Sequence, residues 1–493
     1  MKTVSLLYKD ADKSELSGVG ELSEAIYNLN IDRMVLAACK NTQCAQYLLS
    51  VIERKPESKE TAVYRSEILK DFLEYPKLLS ALMQLFRSYD GLRAETEEMT
   101  GEIFRYGVPT TDAGMLDCAY EQLYVNAHFA RNVIAYFSEI DGVFSEYEVS
   151  SQGLTAMKNF CVSVRESRCI DEIEKAAERF KSESVESYSF TVKCSLDKTM
   201  SAVKSVIADI NEAGKGTKKK LFSSFRKKEA VPSSVDIGNA AVDSIGKATV
   251  SAVSELSSLF SDIAEGIYSA FFGIGKELRF YYAALEIAAY LKNGGMHYSF
   301  PTVLDKEKDT FKASSLYDIL LLTEGKNKDT VVTNTVDISE SGLMIIGDNN
   351  CGKTSFLRAV GTSVIFAQSG LFVPAESLTA SMRDGVFTHF SSAEKEFFDA
   401  DNAAGRFESE VIDIAKIVDK LTPYSLVMLN ETFQTTAYRE GGEGMKEILD
   451  VLPEIKVKYI FVTHIRAMLS EFKPSGVKVL KAEKYNLVEA ENR

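Results

Sequence analysis

The spacing of hydrophobic residues indicates helices over most of residues 1–305. Within residues 115–137, apolar side chains recur every three or four positions, which places them along one face of a helix. They are Leu116, Tyr120, Leu123, Ala127, Ala130, Val133 and Tyr136. Residues 187–194 have the pattern of a strand instead. We therefore predict that residues 1–305 form a mostly α-helical core or lever region.

A longer helical pattern extends over residues 242–288. It predicts either one long helix or two stacked helices, because several glycines interrupt it. These glycines are Gly246, Gly266, Gly273 and Gly275. Two roles are open for this segment, a core helix of a bundle or a lever that transmits force.

Three short apolar runs after residue 305 predict buried strands, at residues 343–346, 425–429 and 458–462. The first run is followed at once by Gly-Asp-Asn-Asn-Cys-Gly-Lys-Thr and then by a helical pattern with Phe356 and Val360 on one face. We therefore predict an α/β P-loop domain with a mostly parallel sheet at residues 306–493.

The G-x-x-x-x-G-K-T motif in this strand-loop-helix setting predicts a phosphate-binding loop. Its backbone N–H groups and the positive end of the helix suit phosphate, Lys353 is placed to reach the terminal phosphates, and Thr354 is placed to ligate Mg²⁺. Cys351 is interpreted either as a small tolerated residue or as a redox-sensitive switch. The predicted nucleotide-binding residues are Gly347, Asp348, Asn349, Asn350, Cys351, Gly352, Lys353, Thr354 and Ser355.

The other two predicted strands also end in polar residues. Asn430 and Glu431 follow the second strand, where a polar group beside Mg²⁺ and a carboxylate that orients water are needed. His464 follows the third, where an imidazole can hydrogen-bond to the terminal phosphate. The alternatives are an ordinary strand-end acid and a structural histidine. With Lys353, these residues are the predicted catalytic group, and Thr354 and Asn430 are the predicted metal ligands.

Residues 331–472 resemble the MutS-type ATPase, a branch of the ABC ATPases, through GDNNCGKTSFLRAVG, GLFVPAES, VFTHF, GRFESEVIDIAKIVDKLTPYSLVMLNET and YIFVTHI. The beginning, MKTVSLLYKDAD, and residues 63–72 resemble MutS-related bacterial proteins that keep helical lever regions and the ATPase. The resemblance implies ATP and Mg²⁺ as ligands and a homodimer. It also implies that two ATPase domains face one another, each completing the other's site, and that ATP closes the pair.

The sequence also departs from the MutS pattern. It lacks the Phe-x-Glu module that reads mispaired bases and the C-terminal nuclease segment of the second bacterial paralogue, so we expect neither function in its known form. Asn430 stands where an acidic residue normally precedes the catalytic glutamate, which predicts slow turnover. The usual serine-threonine pair is replaced by Gly-Arg-Phe-Glu, residues 405–408. Arg406 is interpreted either as a group that reaches the partner subunit's ATP or as an exposed structural arginine.

The net charge of the chain restricts how it can bind nucleic acid. The chain has 71 acidic and 57 basic residues and a net charge of -14, which argues against coating nucleic acid through bulk positive charge. One basic segment, residues 215–228, is either a phosphate-contacting loop or a solvated one. We expect any DNA binding to be weak and salt-dependent. The DNA-contact candidates are Lys215, Lys218, Lys219, Lys220, Arg226, Lys227 and Lys228.

Seven cysteines without a C-x-x-C pair are typical of a reducing compartment, so we expect a cytoplasmic protein. No signal peptide or membrane span is predicted. The leading hypothesis is an ATP-dependent, DNA-associated clamp or sensor of the MutS-related type that hydrolyses ATP slowly. The alternatives are an ATP-gated protein-interaction module that does not bind nucleic acid, and a protein that binds nucleotide but scarcely hydrolyses it.

Overall fold

The computed structural model describes residues 4–9, 22–54, 58–105, 107, 110–178, 187–196, 202–213, 239–338, 342–391, 403–433, 438–465, 471 and 473–489. The helices are α1 Ser23–Asn28, α2 Ile31–Ala38, α3 Thr42–Ile52, α4 Lys59–Glu74, α5 Pro76–Tyr89, α6 Leu92–Ile103, α7 Asp112–Phe144, α8 Gln152–Arg165, α9 Arg168–Glu178, α10 Asn239–Phe271, α11 Ile274–Asn293, α12 Leu320–Thr323, α13 Lys353–Gln368, α14 Ala403–Val418 and α15 Tyr438–Val451. A 3-10 helix covers Lys306–Lys308. Across these described ranges, no helix is both long enough and apolar enough to cross a membrane.

The strands are β1 Ser187–Leu196, β2 Ala202–Ala213, β3 Thr302–Leu304, β4 Phe311–Leu316, β5 Asn334–Asp337, β6 Gly342–Ile346, β7 Ser377–Ser381, β8 Val386–Phe390, β9 Leu426–Asn430, β10 Lys458–Thr463, β11 Val477–Glu483 and β12 Asn486–Glu489. The contacts divide the chain into two compact units. One comprises Met1–Val4, Ser80–Val149 and Leu154–Gly275, and the other comprises Ser5–Leu79, Ser150–Gly153 and Lys276–Arg493. The predicted boundary between residues 305 and 306 stays a prediction.

The first unit has an aromatic core between its helices. The ring of Tyr89 stacks on that of Tyr268 with centroids 4.9 Å apart, and the Tyr89 hydroxyl donates to the Tyr268 carbonyl oxygen at 2.9 Å. Phe137 packs against Phe271 at 4.8 Å. Such pairs add packing energy to the burial of apolar area. The first pair holds α5 against α10, and the second holds α7 against α10.

Two sequence predictions can be compared with these elements. The strand predicted at residues 187–194 is confirmed as β1, which pairs antiparallel with β2. The pattern over residues 242–288 forms two helices, so the single-helix alternative is wrong. Helices α10 and α11 are separated by Phe272 and Gly273, and Gly273 has φ +92°. The predicted helix over residues 115–137 lies within α7.

The second unit contains a six-stranded sheet with the order β12-β11-β6-β10-β9-β8. Strands β11, β6, β10, β9 and β8 are parallel to one another, and the edge strand β12 is antiparallel to β11. All residues of β6, β9 and β10 are buried, as expected for parallel strands covered on both faces. The three strands predicted from apolar runs are therefore confirmed as neighbours in the middle of this sheet.

Side chains alternate between the two faces of this sheet. Met344 and Ile346 point to the face that is covered by apolar residues of α14 and α15, such as Ile414 and Met445. Helix α13 contacts β9 and β10. A second sheet, with the order β3-β7-β4-β5, completes the unit. The parallel register brings the carboxyl ends of β6, β9 and β10 to one edge, where the predicted site residues lie.

Candidate functional site

The segment from residue 347 to residue 352, here called the glycine loop, joins the end of β6 to the start of α13. Gly352 caps α13 with φ +87°, a backbone conformation that residues with a Cβ atom rarely adopt. A Cβ atom at Gly347 would lie 2.8 Å from the carbonyl oxygen of Ala482 in β11. The two glycines thus allow the loop to turn tightly and to pass close to β11. The loop directs the N-terminus of a 16-residue helix, with its partial positive charge, to this edge.

Lys353, the first residue of α13, is only 5% exposed and is held by three oxygen atoms. Its Nζ donates to the carbonyl oxygens of Gly347 and Asp348, both at 2.9 Å. Nζ also lies 3.3 Å from Oε1 of Glu431. The ammonium group is therefore fixed inside the curve of the glycine loop.

Asn430 ends β9 and is completely buried. The Thr354 hydroxyl donates to Asn430 Oδ1 at 3.2 Å, and the Asn430 carbonyl oxygen accepts from the backbone N–H of Ser391 at 3.0 Å. Asn430 Nδ2 has no hydrogen-bond partner in the part of the chain that the structure describes. The predicted metal ligands Thr354 and Asn430 thus lie side by side.

Glu431 connects the ends of β9 and β10. Its backbone has φ +57°, and its N–H donates to the Val462 carbonyl oxygen at 2.9 Å. Its Oε2 accepts from the backbone N–H of His464 at 3.1 Å and lies 2.9 Å from His464 Nδ1. One carboxylate therefore contacts both Lys353 and His464, and the three predicted catalytic residues form a continuous cluster.

A cavity of about 660 Å³ opens beside this cluster. Most of the residues predicted to bind nucleotide or metal line it, whereas Gly347, Asp348, Cys351 and His464 are not among its lining residues. His464 has 40% of its side chain exposed and reaches the cluster through Glu431. The predicted residues that do line the cavity are Asn349, Asn350, Gly352, Lys353, Thr354, Ser355, Asn430 and Glu431.

The cavity also has lining residues that the sequence analysis did not select, among them Asp318, Arg358 and Tyr485. Asp318 follows β4, and Tyr485 lies in the turn between β11 and β12. Burial raises the pKa of the Asp318 carboxyl to about 6. Asp318 and Tyr485 lie in connecting segments without a recognisable motif, so only the folded chain identifies them. Arg358 could be inferred weakly from the sequence, because it lies one helical turn after Thr354 and therefore on the same face of α13.

Two predicted groups cannot be compared with this site. Arg406 lies in the first turn of α14, but its side chain is outside the described part of the structure. The basic segment 215–228 lies entirely outside the described residues. The predicted roles of Arg406 and of this segment stay predictions.

The oxygen atoms of Thr354 and Asn430 suit a small hard cation. Mg²⁺ prefers oxygen ligands and usually binds through one or two protein groups together with substrate phosphates. The described residues contain no group of three His, Cys, Asp or Glu side chains arranged for a metal ion. The hydroxyl and amide oxygens beside the glycine loop therefore fit Mg²⁺ better than a softer metal.

Comparison with known protein families gives two matches. Residues 343–489 match the family model of MutS domain V, and residues 57–294 match that of the MutS2 N-terminal domain. The first match includes the glycine loop and all three strand ends of the site. The second covers most of the helical part of the chain.

Individual relatives match shorter segments. The DNA mismatch repair protein Msh3 of Homo sapiens is 32% identical over 185 residues, which are 36% of this chain and 15% of Msh3. The DNA mismatch repair protein MutS of Methanococcoides burtonii is 32% identical over 130 residues, 26% of this chain and 14% of that protein. MutS of Caldanaerobacter subterraneus subsp. tengcongensis is 30% identical over 193 residues, 36% of this chain and 22% of that protein. The chain thus spans less than a quarter of each of these relatives.

The order of the matches along the chain agrees with the fold. A mostly helical region corresponds to the MutS2 N-terminal model, and the α/β region that carries the site corresponds to MutS domain V. The chain therefore belongs to the MutS-related family, with MutS domain V at its carboxyl end and a helical region before it.

Proposed function

We propose that this protein is an ATP-dependent, DNA-associated clamp or sensor of the MutS-related type. The observation that carries the proposal is the single cluster formed by Lys353, Glu431 and His464, in which Lys353 and Glu431 line the same cavity as the glycine loop. A structural ion pair would not require a buried lysine, a glycine loop and a helix N-terminus to meet at one point. In a phosphate-binding loop all three act together on the phosphates.

Each residue of the site has its own proposed role in binding or hydrolysing ATP. The backbone of the glycine loop and the N-terminus of α13 hold the phosphates, and Lys353 neutralises their charge. Glu431 orients the attacking water, and its contacts with Lys353 and His464 fix the direction of its carboxylate. His464 hydrogen-bonds to the terminal phosphate and so links its presence to the end of β10. Bound by Thr354 and Asn430, Mg²⁺ would supply Lewis-acid stabilisation of the phosphate charge.

Hydrolysis is proposed to be slow because Asn430 carries no negative charge. A neutral amide oxygen attracts a divalent cation less than a carboxylate does, and Asn430 Oδ1 already accepts from Thr354. Slow hydrolysis suits a switch whose ATP state must persist long enough to be read by a partner. The third alternative, nucleotide binding with hardly any turnover, is the extreme case of this property.

The proposals of a dimer and of DNA binding rest on the similarity of the chain to the MutS-related family. The matched relatives carry the name DNA mismatch repair protein, and the resemblance implies paired ATPase domains. We propose that two copies close around ATP, with Arg406 approaching the phosphate bound by the partner subunit. DNA binding is assigned to the basic segment 215–228 and should be weak and salt-dependent, given the net charge of -14.

The proposal is tested by measuring ATP turnover alone and with duplex, single-stranded, branched and mismatched DNA at matched salt. Stimulation by at least one DNA form is the expected result. Turnover that none of these forms changes, together with no DNA binding at low salt, would contradict a DNA sensor. That outcome would favour the second candidate, an ATP-gated protein-interaction module, which the acidic surface charge also suits.

A further inference from the structure

Asp318 is a buried carboxylate at the edge of the proposed nucleotide cavity. It is 6% exposed and lines both the 660 Å³ cavity and an adjoining cavity of about 160 Å³. Gly352 of the glycine loop and Ser355 of α13 line the same two cavities. Asp318 therefore borders the space that continues from the phosphate-binding residues.

The two oxygen atoms of Asp318 differ in their hydrogen bonding. Oδ1 accepts from the backbone N–H of Leu320 at 2.9 Å, which fixes the orientation of the carboxyl group. Oδ2 has no hydrogen-bond partner among the residues that the structure describes. The charge of Arg358, on α13, favours the ionised form of Asp318. Buried polar atoms are nearly always paired in folded proteins, so the unpaired oxygen of a side chain that lines a cavity is a candidate acceptor for water or for a ligand group there.

The chemistry of a carboxylate restricts what that ligand group can be. An ionised carboxylate only accepts hydrogen bonds, whereas the phosphate oxygens of ATP carry negative charge and no donor. Asp318 would repel phosphate, so its partner belongs to the nucleoside part of the ligand. That part offers two kinds of donor, the ribose hydroxyls and the exocyclic amine of the base.

We propose that Asp318 accepts a hydrogen bond from a donor on the nucleoside and thereby sets which nucleotide the site prefers. The inference rests on the proposed function, because it places a nucleotide in this cavity. It goes beyond that function in assigning a residue that selects the sugar or the base.

The test begins with the unchanged protein and unmodified nucleotides. Isothermal titration calorimetry in the presence of Mg²⁺ compares ADP with 2′-deoxy-ADP, 3′-deoxy-ADP and inosine diphosphate. Losing a hydrogen bond to a charged group weakens binding by about 10- to 100-fold, so at least one analogue should bind that much more weakly than ADP. A deoxy analogue identifies a ribose hydroxyl as the donor, and inosine diphosphate identifies the amine.

Two variants then assign the discrimination to Asp318. In Asp318→Asn the amide oxygen can accept from Leu320, which turns the NH₂ group, a donor, toward the other side. ADP should bind about 10- to 100-fold more weakly, and the preference for ADP over the sensitive analogue should fall to within about twofold. Asp318→Leu, which removes the polar atoms, should also lose the preference. Melting curves confirm that both variants are folded.

Glu324→Gln is the matched control, because Glu324 is exposed, lines the same cavity and carries the same charge. It should change the affinities for all four nucleotides by one common factor. Equal binding of all four nucleotides by the unchanged protein would overturn the inference, as would discrimination that persists in Asp318→Asn. Failure of ADP to bind the unchanged protein at all would instead contradict the proposed function, and the inference with it.

Discussion

At the scale of single residues, Asn430 is the proposed cation ligand whose charge can be changed with the least change of shape. Its side chain is completely buried, with Oδ1 facing Thr354 and Nδ2 without a partner among the described residues. An aspartate has nearly the same shape and replaces the unpaired donor with a second oxygen. The proposed magnesium site of Thr354 and Asn430 thus has one negative charge fewer than it would have with aspartate.

Asn430→Asp should therefore raise ATP turnover, and most strongly at low Mg²⁺. We expect kcat to increase several-fold and half-saturation to shift to lower Mg²⁺ concentration, because a carboxylate binds the cation more tightly. Steady-state phosphate release over a Mg²⁺ titration measures both quantities. Unchanged kinetics in a folded Asn430→Asp protein would show that Asn430 does not limit hydrolysis.

Asp318 should give the protein a distinct dependence of stability on pH. Burial is the main cause that raises its pKa from 3.8 to about 6; Glu324 also raises it, whereas the Leu320 N–H, Arg358 and Lys326 lower it. Between about pH 4 and pH 6 the folded state keeps a proton that the unfolded state has lost. The free energy of unfolding should therefore fall by about 3 kcal/mol as pH rises through this window.

The pH effect is measured as the difference in free energy of unfolding between the unchanged protein and the Asp318→Asn variant. Urea unfolding of the unchanged protein and of Asp318→Asn is followed at pH values from about 4 to about 8. The variant, which has no titrating group at this position, should gain stability relative to the unchanged protein as pH rises to about 6 and keep that gain above it. Parallel curves for the two proteins would contradict the raised pKa.

At the scale of elements, the sequence predicted the strands and their polar ends but not the rest of the cavity. Apolar runs located β6, β9 and β10 to within a residue at each end, because parallel strands buried on both faces are continuously hydrophobic. The clustering of Lys353 and Glu431 then follows from the common edge of the sheet. Asp318 and Tyr485 lie on loops that approach this edge only through tertiary packing, which no local pattern encodes.

The break between α10 and α11 can be tested by replacing two glycines with alanine and measuring the change in stability. Neither Gly266, within α10, nor Gly273, after it, has an atom within 4 Å of an added Cβ, so substitution by alanine tests the backbone alone. Gly273→Ala should destabilise the protein by about 1–2 kcal/mol because φ is +92°. Gly266→Ala, the control, should stabilise it by about 0.5–1 kcal/mol because alanine favours a helix. Thermal unfolding of both variants measures the difference, and equal shifts would mean that α10 continues through Gly273.

At the scale of the whole molecule, an acidic chain can bind DNA only through a local basic surface. Replacing Lys218, Lys219 and Lys220 by glutamine should weaken duplex binding and lower the slope of log affinity against log salt by about 2 to 3. Fluorescence anisotropy over a salt series measures both effects. The salt slope should fall because fewer counterions are released when three phosphate contacts are lost.

A second triple variant separates local contact from overall charge. Lys77, Lys420 and Lys473 are exposed and lie elsewhere in the chain, so replacing them by glutamine removes the same total charge. This control should leave the salt slope nearly unchanged. If both triple variants weaken DNA binding equally, the basic segment has no special role.

The glycine loop and the ends of β9 and β10 are proposed to surround one triphosphate, with Glu431 orienting the attacking water. The most direct measurement is single-turnover ATP hydrolysis by Glu431→Gln, with Glu447→Gln on the exposed face of α15 as the control. Glu431→Gln should bind ATP and hydrolyse it at least about 100-fold more slowly, whereas the control should hydrolyse it at the unchanged rate. Hydrolysis by Glu431→Gln at the rate of the unchanged protein would contradict the proposed role of Glu431 and of the triphosphate site around it.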